Sequence, residues 1–337
     1  MNISLCTYPW AFDTPGGGER QLQHYYDALK RGQSKWPDLN VSRFDPWNPD
    51  LKNVQIMHYF GCMPSSMDFL NHVRTVRSIP LITSPNFWPD PDGWKKSGVY
   101  ENIKAILWLS NLTIVNSFTE EEALVRLMQI DSSRIAIVPN ATDSLFFDPV
   151  SPDIFRAEFG IHGKYILNVA NVETRKNQLA FLKALKSFPD LKLVTVGHVR
   201  ESWYLDACQT EGGDQFRLIS VLEPGSLMLR SAMAGSEFFA MPSLVETPSI
   251  ASLEAGAAGV KVLTTHLGST RDYFNDTVTY VNPFDLDSLK SGIQLTIDAP
   301  VTSELQVRIK NNYTWDVIVD SLVDAYSRVA GRDLKIT

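Results

Sequence analysis

Two glutamates in the second half of the chain are spaced for chemistry on a bound ligand. Glu246 and Glu254 stand with seven residues between them in PSLVETPSIASLEAGAAG, residues 242–259. A carboxylate at a loop end can hold a sugar hydroxyl or stabilise developing positive charge, and a second one about two helical turns along can reach ribose hydroxyls. The alternative is structural, with Glu246 capping a helix and Glu254 facing solvent.

Two adjacent cations form the second candidate group. Arg175 and Lys176 stand side by side in VANVETRKNQ, directly after a strand-like apolar run. An arginine grips phosphate through two parallel hydrogen bonds, and a lysine adds a point charge. A solvated basic turn is the alternative, because Lys and Arg are common on protein surfaces.

A run of three glycines near the N-terminus is the third candidate. Gly16, Gly17 and Gly18 precede a segment with apolar residues at helical spacing. Glycine allows a ligand to approach the backbone closely, and the free N–H groups of a first helical turn favour an anion. The run is not GxGxxG, so it does not indicate a dinucleotide site, and a tight strand-to-helix turn explains it equally well.

The elements that must position these residues alternate between strand and helix. Continuous apolar runs indicate parallel strands buried on both faces, and their alternation with helical patterns predicts a doubly wound α/β fold. The runs are NISLCTY, VQIMHYF, PLITSP, LTIVNS, IAIVPN, YILNVAN, LKLVTVG, FRLIS, EFFAMPS, VKVLTT and VTYVN. A strand-free segment with two prolines places a boundary near Val150. We therefore expect Rossmann-like domains at residues 1–150 and 151–312, with a cleft at the strand ends.

The strand EFFAMPS places Glu246 in the loop beyond its carboxyl end, at the edge of the sheet where ligands bind in such folds. Thr247 and Pro248 are then predicted to start the helix, since proline suits a first turn. The helix dipole and N–H groups would favour a phosphate there.

Composition narrows the function class. The 337 residues suggest two domains, and the net charge of −7 speaks against a nucleic-acid-binding surface. Three scattered cysteines indicate neither a disulfide framework nor a zinc site. No signal peptide and no apolar run of membrane-spanning length are present, so a cytoplasmic protein is expected.

Taken together, these motifs resemble the retaining glycosyltransferases of glycosyltransferase family 4, which have the GT-B fold. The paired glutamates followed by GSTRDYF look like the nucleotide-sugar signature of that family. PGGGER, IVPNATD and ETRKN match its glycine loop, domain junction and phosphate-gripping loop in the same order. The resemblance spans nearly the whole chain, and it implies a last helix, within residues 313–337, that returns to the N-terminal, acceptor-binding domain.

The resemblance also implies roles for individual residues. Glu246, Arg175 and Lys176 would carry the catalysis, without a metal ion or a cofactor. The donor, a UDP- or GDP-linked sugar, would contact Gly17, Gly18, Asn171, Thr247, Ser249, Ile250 and Glu254. A glycan or lipid-linked acceptor in cell-surface polysaccharide synthesis is expected, with peripheral association at the inner face of the membrane as a further option.

The sequence departs from the family pattern at three places. Thr247, Pro248 and Ser249 replace the usual Gly-Phe-Gly, and Pro248 has no N–H to donate. Asn171 stands where many members have arginine, so Arg175 would substitute from a shifted position. The usual N-domain histidine is missing, which leaves Asn86 or Ser84 in its region, or His58 at another strand end, as sugar or acceptor contacts; His58 is equally explained as a core residue.

Two other functions remain open at this stage. One is a GT-B enzyme such as a nucleotide-sugar epimerase, which would need no acceptor, and the other is a non-catalytic sugar-nucleotide-binding subunit.

The segment NFWPDPDGWKKSGVYENIKAILWLS mixes three tryptophans with lysines, which suggests an acceptor or membrane-surface patch or, in its latter half, a buried helix. Asp90 and Asp92 in this segment are interpreted as turn residues rather than metal ligands.

Overall fold

The computed structural model describes residues 1–331. The chain forms two compact units, an N-terminal unit of Met1–Asn140 together with residues 315–331, and a second unit of Ala141–Thr314. The second unit begins before the expected boundary near Val150 because Phe146 already belongs to its core and Thr142 pairs with Thr314. The part of the predicted returning helix that covers residues 332–337 lies outside the described residues.

The N-terminal unit is built on a six-stranded parallel sheet, with the strands in the order β2-β1-β3-β4-β5-β6. Five of its strands lie in the apolar runs predicted from the sequence. The edge strand β2 was not predicted, since it is short and mostly exposed. The strands are β1 (Asn2–Thr7), β2 (Asn40–Arg43), β3 (Ile56–Phe60), β4 (Leu81–Ser84), β5 (Leu112–Val115) and β6 (Ile135–Ile137).

Helices cover this sheet, and the last one packs on the first. They are α1 (Gly17–Arg31), α2 (Met67–Asn71), α3 (Pro91–Lys96), α4 (Tyr100–Leu109), α5 (Phe118–Met128) and, after the second unit, α14 (Trp315–Ala330). Helix α14 contacts α1, β3 and β5 with a face that includes Trp315, Leu322 and Tyr326, all buried. This packing buries the apolar positions of α14 within the N-terminal unit.

The second unit contains another six-stranded parallel sheet, in the order β12-β11-β10-β7-β8-β9. Its strands are β7 (Lys164–Val169), β8 (Leu191–Val196), β9 (Phe216–Ile219), β10 (Phe238–Met241), β11 (Val262–Thr265) and β12 (Thr279–Val281). Its helices are α6 (Asp153–Phe159), α7 (Gln178–Leu185), α8 (Ser202–Gly212), α9 (Leu227–Ala234), α10 (Ile250–Ala257), α11 (Thr270–Phe274), α12 (Leu286–Asp298) and α13 (Glu304–Asn312).

The doubly wound α/β class predicted from the sequence is confirmed. In both units the central strands are buried along their whole length, which explains why they read as continuous apolar runs rather than alternating ones. Over residues 1–331, no helix combines the length and the apolar character needed to cross a membrane.

Candidate active site

The predicted cations and Glu246 meet at the carboxyl edge of the second sheet. Arg175 and Lys176 follow β7, and Glu246 follows β10; because these two strands pair directly, their loops are neighbours. The loops are also joined by the backbone, since the Leu244 N–H donates to the Arg175 carbonyl at 2.9 Å. The topology of the sheet therefore brings together groups that lie about 70 residues apart in the chain.

Lys176 and Glu246 form a buried ion pair. The Lys176 Nζ lies 2.9 Å from the Glu246 Oε2, and the two residues are only 9% and 5% exposed. The Arg175 Nη1 lies 4.0 Å from the same carboxylate oxygen. Two cations thus lie within 4.0 Å of one oxygen of Glu246, and the half-exposed Arg175 leaves part of its guanidinium open to solvent.

A second carboxylate extends this network. Glu173 accepts from the Arg175 Nη2 at 3.1 Å, and the Arg200 Nη1 lies 3.4 Å from its other oxygen. Three cations and two carboxylates are therefore linked, which leaves one positive charge in excess within the network. Neither Arg200 nor Glu173 was singled out from the sequence. Arg200 reaches this edge from the loop after a different strand, β8, whereas Glu173 lies in the same loop as the two cations.

The environment sets the protonation state of the pair. Burial alone would raise the pKa of Glu246, but Lys176 and Arg175 together hold it below its usual value. Burial lowers the pKa of Lys176, against the opposing attraction of Glu246. The carboxylate is thus ionised at neutral pH. Burial disfavours the charged ammonium of Lys176, and the attraction of Glu246 opposes that effect.

Asn177 fixes the turn that carries the cations. Thr174–Lys176 form a single 3₁₀ turn, and Asn177 then adopts a left-handed conformation with φ of 61°. Its side-chain amide donates to the carbonyls of Pro242 and Pro283 at 3.2 and 2.9 Å. Asparagine tolerates this conformation better than most residues, so its position directly after the two cations was an available sequence signal.

Gly268, in the GSTRDYF motif, fixes the backbone of Glu246. Leu267 accepts from the Glu246 N–H at 3.2 Å, and the Glu246 carbonyl accepts from Ser269 at 3.0 Å. Gly268 has a φ of 92°, and a Cβ atom there would lie 2.1 Å from the Glu246 carbonyl oxygen. Only glycine fits this close approach, so the GSTRDYF motif positions the loop that carries Glu246.

The helix after Glu246 begins later than predicted. It starts at Ile250, with Ser249 as N-cap accepting from the Ser252 N–H at 3.4 Å, so the expectation that Thr247 and Pro248 start it is wrong. The reason is that Ser249 remains extended, with ψ of 125°, and supplies a side-chain acceptor. Every residue of α10 is buried, and Glu254 is only 2% exposed, so the solvent-facing alternative for Glu254 is also wrong.

Asn171 lies in the same loop as the cations, partly exposed, and its carbonyl accepts from the Gln178 side chain at 2.9 Å. Thr247 and Ser249 are likewise partly exposed beside Glu246, and Ile250 is buried. In the second unit, the residues named as donor contacts therefore all lie in the loops or helix that follow β7 and β10.

In the N-terminal unit, the glycine loop and Asn86 are in contact. A Cβ atom on Gly18 would lie 3.0 Å from the Asn86 Nδ2, and Asn86 has a φ of 55°. Gly17 begins α1, and the Gly16 N–H donates to Glu19 at 2.7 Å. Two features that lie far apart in the sequence thus pack against each other.

His58 lies in the core instead. It is fully buried in β3, its Nδ1 lies 2.8 Å from the Tyr326 hydroxyl, and its Nε2 lies 2.9 Å from Ser84. Burial lowers the pKa of His58 to about 3, so the ring is neutral. With both nitrogens engaged, His58 and Ser84 are structural residues, and the core interpretation of His58 is the one the geometry supports.

Asp90 caps the short helix α3 by accepting from the Gly93 N–H at 3.1 Å, and Asp92 lies in its first turn. Both residues therefore lie at the start of a helix rather than in the turn that the sequence predicts. Within residues 1–331, no group of three or more His, Cys, Asp or Glu side chains is arranged to hold a metal ion.

The two parallel sheets define a fold of the GT-B type. The structure superposes on sucrose-phosphate synthase from Thermosynechococcus elongatus with a TM-score of 0.81, at 17% identity, over 98% of this chain and 99% of the other. Anabaena HepE, solved with UDP-glucose, gives a TM-score of 0.79 at 16% identity, over 97% and 100% of the two chains.

Sequence comparison also finds glycosyltransferases. Residues 153–314, just under half of the chain, match the family described as glycosyl transferases group 1. One subunit of the human phosphatidylinositol N-acetylglucosaminyltransferase is 24% identical over 83% of this chain and 58% of its own length. The D-inositol 3-phosphate glycosyltransferase of Mycolicibacterium smegmatis is 26% identical over 64% and 52%. The chain therefore matches little more than half the length of these relatives.

Proposed function

We propose that the protein is a retaining glycosyltransferase that moves a sugar from a nucleotide-sugar donor to a glycan or lipid-linked acceptor. The observation that carries the proposal is the buried Lys176–Glu246 pair, with Arg175 beside it, at the carboxyl edge of the second sheet. The pair lies inside the segment that matches the glycosyl transferases. Open α/β sheets bind their ligands at this edge.

The charges of the network suit a diphosphate leaving group. Lys176 and Arg175 would meet the negative charge that develops when the bond between the anomeric carbon and the diphosphate oxygen breaks. The electron pair of that bond leaves with the diphosphate. The acceptor hydroxyl oxygen then bonds to the anomeric carbon from the same face, and its proton passes to a departing phosphate oxygen. The configuration is retained, and two cations perform the electrostatic work of a metal ion.

Glu246 is assigned to the transferred sugar. Its carboxylate is ionised and fixed from two sides, by Lys176 and by the backbone pairing with Gly268, so it can hold a sugar hydroxyl and stabilise positive charge at the anomeric carbon. Glu254 is assigned to the nucleoside. Asn171, Thr247, Ser249 and the first N–H groups of α10 complete the donor site on the second unit.

UDP- or GDP-linked sugars are the proposed donors, and synthesis of a cell-surface polysaccharide or another glycoconjugate is the proposed setting. The UDP-glucose complex of HepE, whose fold this chain shares, supports a uridine nucleotide as the first choice. The relatives named above act, by their names, on inositol-containing acceptors, which supports a hydroxyl-rich acceptor for this chain as well.

The test starts with thermal-shift screening of the full chain against UDP, GDP, ADP and CMP. The sugar nucleotide that stabilises the protein is then supplied with candidate acceptors, and NMR records the anomeric configuration of the product. We expect retention, activity that survives EDTA, and a loss of most activity in Lys176→Met with a smaller loss in Arg175→Ala. An inverted product, or activity that EDTA abolishes and Mg²⁺ restores, contradicts the mechanism.

The same experiment separates the alternatives. An epimerase would convert the sugar nucleotide without any acceptor, and a non-catalytic subunit would bind it without turnover. Slow hydrolysis of the donor that depends on Lys176 favours the transferase.

A further inference from the structure

Three large aromatic side chains of the N-terminal unit are exposed to solvent. Trp47 is 95% exposed, Trp10 is 52% exposed and Phe12 is 54% exposed. Exposed rings of this size cost solvation free energy unless a ligand covers them, so several of them on neighbouring loops mark a candidate interaction surface. None of the three was singled out from the sequence.

The three residues belong to one edge of the sheet. Strands β1 and β2 are parallel neighbours in which Leu5 pairs with Arg43, and the Phe44 N–H donates to the Leu5 carbonyl at 2.8 Å. Trp10 and Phe12 follow the end of β1, and Trp47 follows the end of β2. Both loops therefore leave the carboxyl edge of the sheet, the edge at which such folds bind ligands.

Hydrogen bonds hold the loop that carries Trp10 and Phe12. The Ala11 N–H donates to Tyr8, the Asp13 N–H donates to Trp10, both at 3.1 Å, and the side chain of Ala11 is buried. The burial of Ala11 turns Trp10 and Phe12, on either side of it, towards solvent.

Two further contacts brace the tryptophans. The Trp10 ring lies edge-to-face on Tyr8, 5.4 Å between centroids, and the Tyr8 hydroxyl donates to Glu19 at 2.9 Å. Glu19 also accepts from Gly16, so this brace is continuous with the glycine loop. In the other loop, the Trp47 N–H donates to Asp45 at 2.9 Å, which closes a local turn. The Trp10 ring is thus held before any ligand arrives, and the backbone of Trp47 is fixed by the local turn.

We propose that Trp10, Phe12 and Trp47, here termed the aromatic platform, bind uncharged sugar rings of the acceptor. The inference rests on the proposed function, because it names the acceptor class for that enzyme. The C–H face of a pyranose is flat and apolar and lies well on an aromatic ring. The same loops carry the carboxylates of Asp13 and Asp45, which are suited to accept hydrogen bonds from sugar hydroxyls.

The charge of the two loops selects a neutral glycan over an anionic surface. Residues 8–15 and 44–49 contain two aspartates and no lysine or arginine. An anionic group bound directly at the rings would need basic residues around them, and the aspartates repel it instead. Uncharged hydroxyl-bearing rings avoid that repulsion and use the carboxylates as acceptors.

The test uses the full chain without donor on an array of neutral oligosaccharides of glucose, galactose, mannose and N-acetylglucosamine, followed by calorimetry with the best binder. We expect Trp10→Ala and Trp47→Ala each to weaken binding by about tenfold. Trp203→Ala is the matched control, because Trp203 is 63% exposed in the second unit and should leave binding unchanged. Thermal shifts with UDP, run in parallel, should be the same in all three variants.

Two results would overturn the platform. One is the absence of binding by every oligosaccharide on the array, or binding that survives both substitutions. The other is Trp-dependent binding to phosphatidylcholine vesicles, with or without phosphatidylglycerol, which would assign the surface to a membrane. The proposed function has a separate readout: sugar binding through the platform without any transfer refutes the enzyme but not the platform, whereas transfer that both substitutions leave unchanged refutes only the platform.

Discussion

The Lys176 ammonium lies 2.9 Å from the Glu246 carboxylate, and hardly any of either side chain reaches solvent. Removing two charges from water is costly, and their mutual attraction offsets that cost only where the geometry is good. The pair is therefore weak as a source of stability and better suited to holding a charged site in one arrangement. In the proposed reaction a diphosphate would share Lys176 with Glu246, so the pair sets both the position and the charge of the donor site.

Breaking this pair should destabilise the fold. We expect Lys176→Met to lower the free energy of unfolding by about 3–5 kcal/mol, because it leaves Glu246 buried with only the more distant Arg175. The double variant Lys176→Met/Glu246→Gln should recover part of that loss, with a coupling on the order of 0.5–3 kcal/mol in urea denaturation. Lys164→Met is the control, since its exposed pair with Glu237, at 3.6 Å, should contribute about 1 kcal/mol or less. Additive single effects would show that the pair is not coupled.

Glu246 and Glu254 should fail in different ways. Glu246→Gln should bind the nucleotide normally yet lose about a hundredfold or more in turnover, the scale seen when one electrostatic stabiliser of a transition state is removed. Glu254→Ala should weaken nucleotide binding by about 1–3 kcal/mol, and Glu254→Gln, which keeps the volume of this buried side chain, separates a lost contact from a cavity. Calorimetry with the free nucleotide and steady-state kinetics measure the two effects. Equal loss of nucleotide affinity in Glu246→Gln and Glu254→Ala would disprove the assignment.

Gly268 should be irreplaceable for steric reasons. In Gly268→Ala the new Cβ atom would overlap the Glu246 carbonyl, so we expect lost stability together with lost activity as the loop of Glu246 shifts. Gly163→Ala is the matched control in the same unit. Gly163 also has a positive φ, of 78°, but a Cβ atom there would have no neighbour within 4 Å, so only the conformational cost of about 1–2 kcal/mol applies. Thermal unfolding and donor turnover of the two variants decide the matter, and equal effects would contradict the steric explanation.

Glu120 should make the stability of the protein depend on pH. It is fully buried at the start of α5, where burial raises its pKa from 4.5 to about 7 while the Asn116 backbone and side-chain N–H groups partly oppose the shift. Between these values the folded state holds a proton that the unfolded chain has lost, so stability is full below pH 4.5 and falls as the pH rises to about 7.

Glu120→Gln should remove this dependence of the free energy of unfolding on pH, which amounts to at most about 1.4 kcal/mol per pH unit. Relative to wild type, the variant should be stabilised most above pH 7. The free energy of unfolding is measured in urea at several pH values, and Glu122→Gln, at an exposed position of the same helix, serves as control. An unchanged slope in Glu120→Gln would place the titration on another group.

The sequence by itself determined the class of fold and the edge at which the chemistry is expected. Apolar runs such as EFFAMPS and YILNVAN are long enough to require strands buried on both faces, and the residues after them must then lie at the carboxyl edge. That reasoning placed Arg175, Lys176 and Glu246 on loops of the second sheet. It missed β2, because an exposed edge strand of four residues has no apolar run to mark it.

Only the tertiary structure decided which of these residues meet and which are buried. Lys176 reaches Glu246 because β7 and β10 are neighbours in the sheet, and strand order is not contained in any local spacing. The burial of Glu254 and His58 likewise depends on elements distant in the chain. Gly268 is required because its backbone packs too closely against the backbone of Glu246 to leave room for a Cβ atom. Local patterns report the period and the ends of an element, whereas pairing, desolvation and close approach arise only when distant segments pack together.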